Sequence, residues 1–217
     1  MIEAPSELRE DLRLISEMVP QGARVLDLGC GTGDLLAWLQ AHRGVNGYGL
    51  EIDHDKITAC IAKGVNVIER NIDEDLSDYE SDSFDLVVMT ETLQAVRHPA
   101  NVLDEMLRIA PEGIVTFPNF GHWSCRLHLA TRGRMPVSSH LPHAWYDTPN
   151  IHLCTFADFE ALCTERGLRI TRRLVVNGGY RPNRFINRWS NLFGNIAIYG
   201  LARARSGSTG PRREPSS

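Results

Sequence analysis

The residues best suited to chemistry lie early in the chain, in Asp27-Leu28-Gly29-Cys30-Gly31-Thr32-Gly33, a G-x-G-x-G loop between a short apolar run and a helical one. Glycines carry no Cβ, so such a loop turns sharply and lets a ligand approach the main chain. The fingerprint that holds a dinucleotide pyrophosphate needs a further glycine where this chain has Asp34. A carboxylate at that helix start disfavours the anion that free amides there would otherwise bind. Asp27 offers an acceptor to an ammonium group, and Glu51, about twenty residues beyond the loop, offers two oxygens to the hydroxyls of a ribose. A nucleoside with an ammonium group and no phosphate fits S-adenosylmethionine, or S-adenosylhomocysteine, its demethylated form. The expected cofactor contacts are Asp27, Gly29, Cys30, Gly31, Gly33 and Glu51, with Ile52, Asn71 and Ile72 as walls and edge of an adenine slot and Thr90 beside them. Cys30 is read as a spacer in the loop rather than a nucleophile.

The elements that must position these groups alternate regularly. Leu8, Leu12, Ile15 and Val19 fall on one helical face, and Pro20-Gln21-Gly22 ends it. Arg24 to Leu28 reads as a first strand, followed by the glycine loop and a helix opened by Asp34. Further strands are expected at 47–51, 65–68, 84–89 and 113–117, with helices at about 55–63 and after Pro99. Strands and helices alternating in this way imply an α/β fold, Rossmann-like, with a mainly parallel seven-stranded sheet covered by helices on both faces. Its ligand should lie beyond the C-terminal ends of the strands, near the first of them.

The rhythm stops after Phe117. Residues 118–154 carry Trp123, Trp145, Tyr146 and five histidines without clear periodicity, and are read as an aromatic-rich insertion in a single domain spanning 1–202. Thr155 and Asp158 form a capping-box pattern before a helix burying Phe156, Phe159 and Leu162. Strands at 168–176 and 196–201 close the domain, and the polar tail 203–217 is expected to be disordered. The five histidines, at 122, 128, 140, 143 and 152, show no metal-ligand spacing, so no metal site is expected. No catalytic base is assigned, and the absence of an obvious one does not exclude methyl transfer, since much of its rate can come from positioning. Thr90-Glu91-Thr92-Leu93 replaces the Asn/Asp-Pro-Pro-aromatic run of amino-methylating enzymes.

Asp27 to Gly33, Glu51 and the alternation resemble the class I S-adenosylmethionine-dependent methyltransferases. A more specific resemblance is to the MetW family of methionine-biosynthesis proteins. It is carried by Tyr48-Gly49-Leu50-Glu51-Ile52-Asp53, Phe117-Pro118-Asn119-Phe120-Gly121-His122-Trp123, Gly133-Arg134-Met135-Pro136-Val137 and Trp145-Tyr146-Asp147-Thr148-Pro149-Asn150-Ile151-His152-Leu153-Cys154. That resemblance implies a methyltransferase-like accessory subunit that works with MetX, a homoserine O-acyltransferase. It names no methyl acceptor. Arg70-Asn71 departs from the family's usual Gly-Asp; the Asn71 carbonyl still accepts from an adenine amino group, more weakly than a carboxylate. Trp123, Trp145 and Tyr146 either cap the sheet as core aromatics or form the docking surface for the acyltransferase. Arg181, Arg184, Phe185, Arg188 and Trp189 make a second candidate surface. The alternative function is an active methyltransferase on a small molecule.

Composition narrows the field. With 217 residues, 42% hydrophobic and a net charge of −4, the chain can bury a full core and shows no broad attraction to nucleic acid. No apolar run reaches membrane-spanning length and the first residues lack a secretory pattern, so a cytoplasmic protein without a membrane partner is expected. The five cysteines, at 30, 60, 125, 154 and 163, contain no C-x-x-C pair and are read as reduced thiols.

Overall fold

The computed structural model describes residues 8–74, 76–138, 141–176 and 189–203. Arg181, Arg184, Phe185 and Arg188, and the tail from 204, lie outside the described residues.

The chain runs α1 (Glu10–Met18), β1 (Arg24–Leu28), α2 (Asp34–Arg43), β2 (Asn46–Glu51), α3 (His54–Ala62), β3 (Asn66–Glu69), β4 (Leu86–Thr90), a 3-10 turn (Leu93–Ala95), α4 (Pro99–Ile109), β5 (Glu112–Pro118), α5 (Trp123–Arg132), α6 (Phe156–Glu165), β6 (Leu168–Val176), α7 (Ser190–Phe193) and β7 (Ile196–Arg203). Seven strands make one sheet in the order β3-β2-β1-β4-β5-β7-β6. The first five pair in parallel, while β7 runs antiparallel to both β5 and β6. The expected α/β architecture is therefore present.

Central strands are mostly apolar because both faces are covered. On β4, Val87 and Met89 join the core beneath α4 and α6, while Leu86 and Val88 join the core beneath α1 and α2. Helix ends follow local chemistry. Asp53 accepts from the amides of Asp55 and Lys56 at the start of α3, and α2 stops on Gly44 at φ +62°. The capping box expected at Thr155 is formed, with Thr155 and Asp158 each accepting from the other's amide. Phe117, Phe156, Phe159 and Tyr199 pack as one aromatic cluster, and the Tyr199 hydroxyl donates to Glu160 at 2.6 Å.

The segment read as lacking periodicity contains a helix, α5, and this corrects the expectation for 118–154. The helix is a poor core element: it buries only Cys125, with Leu127 and Leu129 exposed. His122, one of the five histidines of the segment, caps it: its Nδ1 accepts from the Ser124 amide. Asn119 is fully buried and acts as a lock, accepting from the Gly121 amide and donating to the carbonyls of Asn191 and Gly194. All five cysteines are free thiols, and Cys154 is the least buried of them.

Candidate functional site

The sheet reverses its winding between β1 and β4. From β1 the chain crosses to α2 on one face, from β4 to α4 on the other, so a crevice opens between the C-terminal ends of the two strands. It measures about 810 Å³ and is lined by nearly all the residues singled out from sequence: Asp27, Gly29, Cys30, Gly31, Glu51, Ile52, Asn71, Ile72 and Thr90.

The glycine loop owes its path to three left-handed positions, Gly29 (φ +77°), Gly31 (φ +57°) and Gly33 (φ +75°). A Cβ on Gly29 would lie 2.6 Å from Thr92 Oγ1, whereas one on Gly31 would meet no protein atom within 4 Å and would project into open space. Gly33 is the exception among the expected contacts, for it does not line the crevice. Its Cβ position lies 2.9 Å from Cys60 Sγ, so it is needed for packing against α3. The Lys63 ammonium fastens the loop from outside, donating to the Thr32 carbonyl at 2.7 Å and to Asp34 at 2.6 Å. Burial would raise the Asp34 carboxyl, but hydrogen bonds from Lys63 and Thr32 hold it below the usual range. Its charge is thus partly spent inside the protein, and the disfavouring of a pyrophosphate is weaker than the bare sequence implies.

Glu51 is buried and ties loop to strand. Its Oε2 accepts from the Gly31 amide at 3.0 Å, and its Oε1 accepts from the amides of Ile52 (2.9 Å) and Asp53 (3.1 Å). A carboxylate has about four lone-pair sites, so one on Oε2 remains for a ligand. Asp27 is 1% exposed and its Oδ1 has no hydrogen-bond partner. Desolvation, reinforced by the Glu51 charge, pushes its carboxyl up to about 7. An orphaned acceptor at the foot of a crevice is the complement of a cationic donor. Cys30 is buried with its sulfur 3.8 Å from that of Cys60; burial and the Asp27 charge push its thiol far up, which removes it as a nucleophile. Asn71 accepts from the Asp73 amide at 3.0 Å and keeps a second lone pair on its carbonyl oxygen.

Several crevice residues escaped the sequence. Leu8, Arg9 and Leu12 reach it from the N-terminal side, and Pro149 and Asn150 from the insertion. Glu91 sits just past β4 at φ +50°, a conformation rare for residues other than glycine, and is held there by two hydrogen bonds from its amide to the Thr116 carbonyl and hydroxyl. Its carboxylate is 3.8 Å from the Arg9 guanidinium; burial raises it and Arg9 lowers it. Nothing in a lone Glu after a strand signals such a backbone.

Trp145 and Tyr146 are 74% and 76% exposed and Trp123 is 46% exposed, so they do not cap the sheet as core residues. Trp145 and Tyr146 meet edge to face at 5.7 Å and, with Met135, Leu141, Ile151 and Leu153, line a groove of about 310 Å³. Trp123 stands outside that groove, beside the ring of His122. Among the described residues no three metal-ligating side chains converge, and no helix is long and apolar enough to cross a membrane.

The profile of a family described as methionine biosynthesis protein MetW matches residues 9–201. The chain belongs to the MetW family. It is similar to the bifunctional methionine biosynthesis protein MetXA/MetW of Rhodopirellula baltica, 35% identical over 164 residues, which cover 71% of this chain and 26% of that protein. It is also similar to the ubiquinone biosynthesis O-methyltransferase of Hahella chejuensis, 35% identical over 101 residues, 44% of this chain and 42% of that one. The chain thus spans less than half the length of these relatives. Among solved structures, an S-adenosylmethionine-dependent methyltransferase of Mesorhizobium loti superposes with a TM-score of 0.65 at 17% identity, over 90% of this chain and 98% of that one. The MetW family chain therefore has the methyltransferase fold and belongs to methionine biosynthesis.

Proposed function

We propose that this MetW family chain is the accessory subunit of a homoserine O-acyltransferase of the MetX kind, and that its crevice holds S-adenosylmethionine or S-adenosylhomocysteine. The observation that carries the partnership is the Rhodopirellula baltica relative, whose name joins MetXA to MetW in one chain. Fusion makes two modules neighbours permanently, at an effective concentration that separate chains reach only by binding. The surface offered for the contact is the groove of Trp145 and Tyr146, two large rings with apolar neighbours of the type that dominates interface energetics. Trp123 remains an exposed candidate outside that groove.

The residues of the crevice fit such a nucleoside. The unpartnered Asp27 Oδ1 would accept from its ammonium group, the free lone pair of Glu51 Oε2 from a ribose hydroxyl, and the open face of Gly31 admits close approach. Ile52, Ile72 and Asn71 would border the base. When bound, S-adenosylmethionine supplies an electrophilic methyl group on a sulfonium. The chain's own part is to desolvate and orient it.

Titration of purified chain into the acyltransferase tests the reading. Homoserine acylation should rise to a plateau, and Trp145→Ala should shift the half-maximal concentration upward by about tenfold, as loss of an anchoring aromatic does. An acylation rate that stays constant across the titration rejects the partnership. A second reading, methyl transfer to a small molecule, is favoured by one observation: Glu91, held in a costly backbone conformation, lines the same crevice as Asp27 and Glu51. Label transferred from methyl-labelled S-adenosylmethionine to a metabolite, and lost in Glu91→Gln, would establish it.

A further inference from the structure

Crevice and groove are not separate features of the surface. Asn150 lines both, with Pro149 on the crevice side and Ile151 and Leu153 on the groove side. The strip between them is held against the turn that follows β4. The His152 amide donates to the Gln94 carbonyl at 2.9 Å, and its ring Nε2 lies 3.3 Å from the Arg97 carbonyl, a geometry in which Nε2 carries the proton. That turn is in turn bonded to the crevice. Gln94 is buried and its Nε2 donates to the Glu91 carbonyl at 2.7 Å, while the Arg97 amide donates to Asp73, whose own amide donates to Asn71.

We propose that ligand occupancy of the crevice and docking at the groove are coupled through the Pro149–Leu153 strip, a ligand against Asn150 holding the strip where the acyltransferase engages it. The proposal rests on the partnership and cofactor readings above. Its sign follows from ordering. Ile151 and Leu153 are exposed on a strip without helix or strand, tied down chiefly at His152. A ligand packed on Pro149 and Asn150 restricts that strip, and a partner binding afterwards has less left to order. Linkage then requires the reverse effect to be equal: the acyltransferase must tighten nucleoside binding by the same factor.

Calorimetry on the full chain and the acyltransferase, with and without saturating S-adenosylhomocysteine, measures both sides. The expected result is a complex at least about fivefold tighter with the nucleoside present, and nucleoside binding tighter by the same factor in the complex. Hydrogen exchange of residues 149–153 should slow when the nucleoside alone is added. His152→Ala, at an exposed side chain, should fold normally and bring the ratio towards one. Equal or weakened affinity overturns the coupling while the partnership stands. Absence of any complex overturns the partnership and the coupling with it; absence of nucleoside binding overturns the cofactor reading and the coupling, and leaves the partnership.

Discussion

Asp27 and Glu51 are close enough for the charge of one to raise the proton affinity of the other, and they divide the work between them. Glu51 is already saturated on one oxygen by main-chain donors, so it serves the protein's own architecture as much as any ligand. Asp27 has an unused oxygen and a carboxyl raised to about 7. A cationic ligand needs it ionised. Affinity for S-adenosylhomocysteine should therefore weaken by roughly fivefold to tenfold from about pH 7.5 to about pH 6, because the proton must be displaced. Asp27→Asn should bind weakly with that slope abolished; a pH-independent Kd in the unaltered chain contradicts the assignment. The same shift sets the sign for stability. The folded carboxyl keeps its proton up to about 7, well above the ordinary aspartate value of 3.8, so the folded state takes up the proton in that interval. Stability from this group is greatest below about 4 and declines as pH rises to about 7. Both acids were legible from sequence, because their chemistry follows from residue type and strand position. Arg9, Glu91 and Asn150 were not, since their place depends on contacts across the chain and, for Glu91, on a backbone angle that side-chain identity does not signal.

The glycine loop shows why a motif read as one unit performs two tasks. Gly31 faces the crevice and Gly33 faces α3. Alanine at either position must adopt a left-handed backbone, at about 1–2 kcal/mol. Gly31→Ala should lower stability by about that amount and remove most nucleoside affinity, since its methyl enters the open face. Gly33→Ala should cost more in urea unfolding, because the methyl also meets Cys60 Sγ, while affinity measured on the folded fraction survives. Equal effects of the two would refute the division. Period and turn chemistry made the starts of α2, α4 and α6 readable, and both ends of α3 and of the strands to within about two residues. α5 was hidden because its few apolar residues are interleaved with Ser124, Arg126 and His128 and it reaches the core only through Cys125.

Across the molecule, the sheet is carried by two cores, and the aromatic cluster closes the one beneath α4 and α6. Phe117 from β5 stacks on Tyr199 from β7 and touches Phe156 and Phe159 from α6, so it joins the parallel half of the sheet to the antiparallel half. Phe117→Ala should lower unfolding free energy by about 3–5 kcal/mol, measured by urea denaturation. A loss below about 1 kcal/mol would show that the cluster closes over the void. The sheet's composition and winding were legible, being imposed by alternation; the antiparallel placement of β7 was not, because pairing partners are chosen by tertiary packing. That placement bears on synthesis. The last described strand to leave the ribosome is the one that must slide between β5 and β6, which were made before it. Until then β5 offers the nascent chain an open edge and Phe117 lacks its stacking partner. Acquisition of the native state is therefore deferred until β7 has been made, and a chain stopped after β6 should be captured by chaperones or degraded.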